Sequence, residues 1–126
     1  MKRFVERALK IKVGNGLDES IEMGPAINEE QLNRDLSYID IGKAEGARLL
    51  AGGKRMEGGD LQHGYFVQPT VFGDVAPKMR IAQEEIFGPV VSLIPCDSFE
   101  HDAAVTNEPM RGLAWRQRSP SQDTTR

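Results

Sequence analysis

Two adjacent carboxylates and an aromatic ring lie just before a Gly-Pro turn in residues 83–94. A carboxylate at the mouth of a strand, such as Glu84 or Glu85, can accept hydrogen bonds from both hydroxyls of a ribose. The flat side chain of Phe87 can cover an uncharged or cationic ring nearby. These residue types at this spacing therefore predict a binding site for a ligand that carries both a sugar and a ring.

The residues that follow would support such a site. Gly88 leaves room for a ligand or another backbone to approach, and Pro89 fixes φ near about −65° and prevents helix. Residues 90–94 are rich in β-branched and other apolar side chains, which predicts a buried strand. The same residues also allow a plainer interpretation, in which the two glutamates are a charged pair at the end of a helix and the phenylalanine lies in the core.

Upstream, residues 4–11 carry apolar side chains at helical spacing, which predicts an amphipathic helix that ends at the glycines of residues 14–16. Residues 17–26 contain a Gly-Pro pair and no sustained periodicity. They predict an ordered surface loop.

A second helix is predicted to begin at Asn28, whose side chain can cap it. Gln31 occupies the reciprocal capping-box position, and Ile27 is placed to pack across the first turn. Gly46 is a suitable residue to end the helix. The predicted buried stripe consists of Leu32, Leu36 and Ile39.

Two strands should follow, over residues 47–51 and 65–72. Pro69 lies inside the second segment, which predicts an edge or bulged strand, because proline cannot donate to a sheet ladder. The glycines between the strands are interpreted as turns, since they lack the strand, lysine and helix of a phosphate-binding loop.

A short helical turn over residues 79–82 leads into the glutamate pair, and Asp97 or Ser98 can cap a final helix over residues 99–105. The alternation of strands and helices favours an α/β layer fold. Residues 115–126 are polar and aperiodic, which predicts a disordered tail.

Length and composition limit the classes of function. The chain has 126 residues, enough for one domain or part of one, and a net charge of −3 that argues against a nucleic-acid partner. It lacks the run of about 18 apolar residues that a membrane span needs. A single cysteine and a charged amino terminus without an apolar signal core predict a cytoplasmic protein.

Other reactive residues have no suitable context. Cys96 follows the strand of residues 90–94 and is predicted to be a core or near-core side chain. His63 and His101 are isolated and are interpreted as surface residues, so we predict no metal site. The serines lack a nucleophile-elbow context, and hydrolase activity is not predicted.

The run Glu84-Glu85-Ile86-Phe87-Gly88-Pro89 resembles the EEIFGP signature of the NAD(P)-dependent aldehyde dehydrogenase superfamily. The resemblance extends over residues 4–113 and follows the catalytic domain of that family in order. The further matching segments include Met23-Gly24-Pro25, Asn28-Glu29-Glu30-Gln31, Glu45-Gly46-Ala47, Gly64-Tyr65-Phe66-Val67 and Pro69-Thr70-Val71.

This resemblance implies that Glu85 binds the nicotinamide ribose of NAD or NADP and that Phe87 packs beside the nicotinamide ring. Glu84, Gly88 and Pro89 would be supports. Family members oxidise an aldehyde through a cysteine nucleophile that precedes EEIFGP by more than the upstream length of this chain. By the same resemblance the Rossmann-like cofactor domain is also absent, so no catalytic residue is assigned, and Cys96 is not the nucleophile.

The resemblance therefore predicts that residues 1–114 are part of an aldehyde dehydrogenase catalytic domain and that the chain alone is inactive. The parent family is homo-oligomeric. Alternatives are a small α/β binding or interaction module, half of a split enzyme whose partner chain supplies the upstream domain, and a truncated chain that folds poorly. Residues after 114 depart from the family, through either a reading-frame change or divergence.

Overall fold

The computed structural model describes residues 1–98, 100, 101, 103 and 104. Three helices, three strands and one 3-10 turn are bounded within this part of the chain. In order they are α1 (Lys2–Leu9), α2 (Glu29–Ala44), β1 (Arg48–Ala51), the 3-10 turn (Gly59–His63), β2 (Thr70–Gly73), α3 (Arg80–Gln83) and β3 (Val90–Ser92).

The three strands form one mixed sheet in the order β1-β2-β3. β1 pairs antiparallel with β2, and Arg48 lies opposite Gly73, whereas β2 pairs parallel with β3. The short helix α3 lies in the connection between the parallel strands. A small sheet with helices confirms the α/β class that the sequence predicts.

Pro69 predicted an edge or bulged strand. The edge position is wrong, because β2 is the central strand, whereas the pairing of β1 with β2 does have an irregular register between Leu49 and Ala51. The regular strand starts one residue after the proline, at Thr70. The first ladder position is therefore filled by a residue that has an amide hydrogen, and the Thr70 amide donates to the carbonyl of Pro89 over 2.8 Å.

The strand predicted for residues 90–94 is shorter than expected and is not buried. β3 ends at Ser92, and its middle residue, Val91, is exposed. Among the described strands it lies at the edge of the sheet. β-branched side chains thus identified a strand correctly but did not identify its burial, because edge strands also favour them.

The amino-terminal half of the chain folds largely as predicted. α1 packs against β1 and β2 through Ala8, which lies in a small apolar cluster with Ala51 and Val71. The loop over residues 17–26 is tied back by a bridge between Val13 and Met23. No helix in the described part of the chain is long and apolar enough to cross a membrane.

Helix α2 is capped by Asn28, whose side-chain oxygen accepts from the amide of Gln31 over 2.8 Å. The rest of the predicted start is wrong: Ile27 is 88% exposed and makes no staple, and the Gln31 side chain points away from the cap toward other partners. Gly46, at φ +91°, ends the helix as expected.

Replacing Asn28 by Ala should lower the free energy of unfolding by about 1 kcal/mol, because the amide of Gln31 loses its acceptor. Urea unfolding followed by circular dichroism measures the change. Asn28→Asp keeps an acceptor and serves as the matched control. Equal stability of the Ala and Asp variants would contradict a capping role.

The main core lies between α2 and the sheet. Leu32 and Ile39 of the predicted stripe are fully buried, and Leu36 packs partly buried against them. Phe72 of β2 is the largest fully buried side chain. The remaining buried members of this cluster are Ala47, Val67, Val75, Ile81, Ala82 and Ile86.

The final predicted helix is only partly within the described residues. Residues 100, 101, 103 and 104 are helical, and the amide of His101 donates to the Ser98 hydroxyl over 3.1 Å, in agreement with Ser98 as the cap. The predicted tail, residues 115–126, lies outside the described part of the chain.

Candidate functional site

Glu84 is half-exposed, and two partners hold its side chain. Arg80, one turn earlier, donates to both oxygens of the Glu84 carboxylate, over 2.6 and 3.0 Å. Tyr38 of α2 donates its hydroxyl to the same carboxylate over 3.1 Å, and Arg80 stacks above the Tyr38 ring. The hydrogen bond from Arg80 holds the pKa of Glu84 below its ordinary value. This carboxylate is thus engaged in fixing α3 to α2.

Glu85 has the opposite environment. Its side chain is exposed, and among the described residues no hydrogen bond or ion pair engages its carboxylate. The two adjacent glutamates therefore differ in availability, since only Glu85 offers both oxygens to a ligand. The charged-pair interpretation treated them alike, and the hydrogen bonds of Glu84 distinguish them.

Phe87 does not lie in the core, so the plainer interpretation of this residue is wrong. Its side chain is 78% exposed, and its backbone has φ +61°. A left-handed conformation costs a residue other than glycine about 1–2 kcal/mol. The neighbouring Ile86 is buried in the main core instead. The turn thus directs one apolar side chain inward and presents the aromatic ring to solvent.

The amide of Gln31 fastens this turn to α2. Its Nε2 atom lies 3.2 Å from the carbonyl oxygen of Ile86 and 3.3 Å from that of Phe87. The same nitrogen donates to Oδ1 of Asp35 over 2.7 Å. Sequence reasoning placed Gln31 at the helix cap and missed this contact.

Asp35 lies beneath the turn with its side chain fully buried. Within the described part of the structure its Oδ2 atom has no hydrogen-bond partner. Burial raises the pKa of the Asp35 carboxyl. A Cβ atom on Gly88 would lie 2.3 Å from Oδ1 of Asp35, so only glycine allows the turn to rest on this carboxyl. Gly88 was predicted to leave room for a ligand or another backbone, and the group that lies against it is the side chain of Asp35.

An open cavity of about 520 Å³ lies beside the turn. It is lined by residues 23–27, by residues 87–89, and by Gln31, Asp35 and Val67. Most of this lining is apolar, and Gln31 adds a polar side chain. Such a combination is typical of sites for small organic ligands.

The other reactive residues lie elsewhere. Cys96 is exposed, and its Sγ atom is 3.8 Å from the carbonyl oxygen of Ile94, so the prediction of a core cysteine is wrong. The strand ends at Ser92, and the chain has left the core four residues later. His63 and His101 are exposed, as predicted. The described residues contain no group of three His, Cys, Asp or Glu that could hold a metal ion.

Comparisons with known proteins agree on one family. The sequence model described as "Aldehyde dehydrogenase family" matches residues 1–116. An alpha-ketoglutaric semialdehyde dehydrogenase of Bacillus subtilis is 46% identical over 113 residues, which are 90% of this chain and 23% of that protein. An alpha-ketoglutarate semialdehyde dehydrogenase of Haloferax volcanii is 52% identical over 111 residues, 88% of this chain and 23% of that protein.

A solved structure shares the fold. The betaine aldehyde dehydrogenase of Staphylococcus aureus, in complex with NAD+, superposes with a TM-score of 0.82 at 43% identity, covering 85% of this chain and 21% of that one. This chain therefore spans less than a quarter of the length of the relatives that it matches.

Proposed function

Because this chain belongs to the aldehyde dehydrogenase family, we propose that it forms part of an NAD(P)-dependent enzyme that oxidises an aldehyde to a carboxylic acid. Within that enzyme it contributes one wall of the cofactor site. Glu85 holds the nicotinamide ribose, and Phe87 packs beside the nicotinamide ring. The observation that carries the proposal is that these two side chains are exposed at one turn, whereas Glu84 is engaged by Arg80 and Ile86 is buried.

The chemistry of the two residues fits the proposed ligand. A carboxylate without an internal partner can accept hydrogen bonds from both hydroxyls of a ribose. The Phe87 ring stands at the rim of the cavity, where a flat face can cover a ring and exclude water from it. Engaged with Arg80 and Tyr38, Glu84 is the poorer acceptor for a ligand.

When bound, NAD or NADP would supply the acceptor of the hydride that leaves the aldehyde carbon. The residues of this chain bind the cofactor and orient its nicotinamide ring. Glu85 fixes the sugar, the sugar fixes the position of the ring, and Phe87 limits the tilt of the ring. Phe87 can act in this way only while its turn keeps the conformation with φ +61°.

The purified chain should show no aldehyde-dependent reduction of NAD or NADP. Cys96, the single cysteine, lies beyond the EEIFGP run, and the family resemblance places the nucleophile and the cofactor domain upstream of the residues present. Absorbance at the wavelength of the reduced cofactor measures the activity, with a complete homologous enzyme as the positive control. Turnover that survives Cys96→Ser and disappears in Glu85→Gln would contradict this expectation and require another nucleophile.

Half of a split enzyme is the second candidate. Ile27 and Phe87 are large, exposed apolar side chains that both line the cavity, and such side chains favour a covering partner. Co-expression with the upstream part of a homologous enzyme tests this arrangement. A split enzyme would be supported if the co-expressed chains reduced the cofactor and neither chain did so by itself. Two chains that elute separately and stay inactive would contradict a split enzyme. Homo-oligomerisation and a cytoplasmic location stay predictions from the sequence and the family.

A further inference from the structure

We propose that Asp35 is a positioning residue, which acts through Gln31 to hold the turn of Ile86, Phe87 and Gly88 in the conformation that exposes the Phe87 ring. The importance of this turn for the cofactor rests on the function proposed above. The positioning itself does not, because it concerns contacts among residues of α2 and the turn.

The first argument is the sharing of hydrogens at Gln31. Its Nε2 atom carries two hydrogens and lies within hydrogen-bonding distance of three acceptors. The contact with Asp35 is the shortest, at 2.7 Å, against 3.2 and 3.3 Å for the two carbonyl oxygens of the turn. Asp35 therefore sets the orientation of the amide, and the amide in that orientation reaches the turn.

The second argument is steric. Asp35 lies directly against Gly88, since an added Cβ would fall between 2.3 and 2.5 Å from the three terminal atoms of the Asp35 side chain. The carboxyl group thus supports the turn from below while Gln31 holds it from the side. These contacts fall on Phe87 and on the residues on either side of it, and the left-handed backbone of Phe87 needs such support.

The third argument concerns stability. Asp35 is fully buried, and its Oδ2 atom has no hydrogen-bond partner among the described residues. A buried carboxyl group with an unsatisfied oxygen destabilises a fold, and an apolar side chain of similar shape is commonly better. Burial raises the pKa of Asp35, whereas its hydrogen bond with Gln31 and the charge of Arg34 act in the opposite direction. We therefore expect the Asp35 side chain to maintain the geometry of the turn and not to stabilise the helix.

Asp35→Leu should therefore affect the stability of the chain and the order of the turn in opposite directions. In Asp35→Leu, the midpoint temperature of unfolding should stay equal or rise, while the turn becomes mobile. Backbone order parameters from ¹⁵N relaxation of the full chain report the turn. We expect values for Phe87 and Gly88 to fall from about 0.85, typical of rigid backbone, to below about 0.6. A residue with a purely structural role would lose stability and order together.

Three further variants make the test decisive. Asp35→Asn keeps an acceptor on a side chain of the same shape, so the turn should stay as ordered as in the native chain. Gln31→Met removes the donor and should loosen the turn with Asp35 in place, and Asp35→Leu should add nothing in that background. Asp40→Asn, at an exposed position of the same helix, is the control and should change neither measurement.

The proposal would be overturned if the turn stayed ordered in both Asp35→Leu and Gln31→Met. It would also be overturned if Asp35→Leu lowered the midpoint temperature of unfolding together with the order parameters of the turn. Neither measurement needs a cofactor or an aldehyde. If the turn responds as expected but a complete enzyme tolerates Glu85→Gln, the positioning role holds and the proposed cofactor site fails.

Discussion

We expect hydride transfer to become slower by about a hundredfold when Glu85 is replaced by Gln in a complete homologous enzyme that carries residues 1–98 of this chain. An amide cannot accept both ribose hydrogen bonds with the strength of a carboxylate, and the weakened contacts cost roughly 1–3 kcal/mol. The cofactor then loses its fixed position. Misplacement of a reacting atom by about 1 Å is enough to reduce a rate about a hundredfold.

Single-turnover kinetics of this chimera separates the effect on transfer from the effect on affinity. The rate of hydride transfer should fall more than the affinity for the cofactor. Phe87→Ala should act in the same direction because it removes the wall beside the ring. Glu84→Gln is the matched control: it perturbs an ion pair with Arg80 and leaves the ligand contact intact. A slower transfer in Glu84→Gln than in Glu85→Gln would show that the roles of the two glutamates are reversed.

Phe72→Ala should lower the free energy of unfolding by about 3–5 kcal/mol. The side chain is fully buried, and its ring packs so closely on α2 that a Cβ atom on Gly42 would lie 2.9 Å from Cζ. No smaller residue can fill that space without movement of the helix or the central strand. Since a domain is stable by only about 5–15 kcal/mol, the variant should lose a large fraction of its stability.

Urea unfolding followed by circular dichroism measures this loss. Leu17→Ala is the control, because Leu17 is also a large apolar residue but is 92% exposed. Its replacement should change the free energy of unfolding by less than about 0.5 kcal/mol. Equal stability of the two variants would mean that the core between α2 and β2 does not hold the domain together.

Local signals predicted the elements of the fold well. The side chain of Asn28 fixed the start of α2, Gly46 fixed its end, and the apolar run of residues 47–51 matched β1. Each of these signals depends on the chemistry of a few adjacent residues. The sequence contained that chemistry, so no knowledge of the tertiary contacts was needed.

Burial was harder to predict, because it depends on what lies opposite a residue. Pro69 was assigned to an edge or bulged strand, but the adjacent strand is central, and Cys96 was assigned to the core but is exposed. Ile27 was expected to pack on the first turn of α2 and is exposed instead. In each case the residue type gave an average tendency, and the neighbours decided the outcome.

Within the site, the EEIFGP run identified Glu85 and Phe87 as candidates, and their cofactor contacts stay predictions. The support from Asp35 was missed, although a signal was present. Position 35 falls on the same helical face as Leu32, Leu36 and Ile39, so an aspartate there interrupts the apolar stripe. The contacts of Gln31 with Ile86 and Phe87 could not be identified from periodicity, because they join parts of the chain that are distant in sequence.

The strand order β1-β2-β3 has a consequence for the kinetics of folding. Each strand pairs with the next one along the chain, so the sheet needs only short loops to close, whereas the bonds from Gln31 to Ile86 and Phe87 span 55 and 56 residues. Closing longer loops costs more entropy, and distant contacts slow folding. The sheet should therefore assemble early and the turn should dock on α2 late. The conformation of Phe87 would then be acquired in one of the last steps by which this chain becomes native.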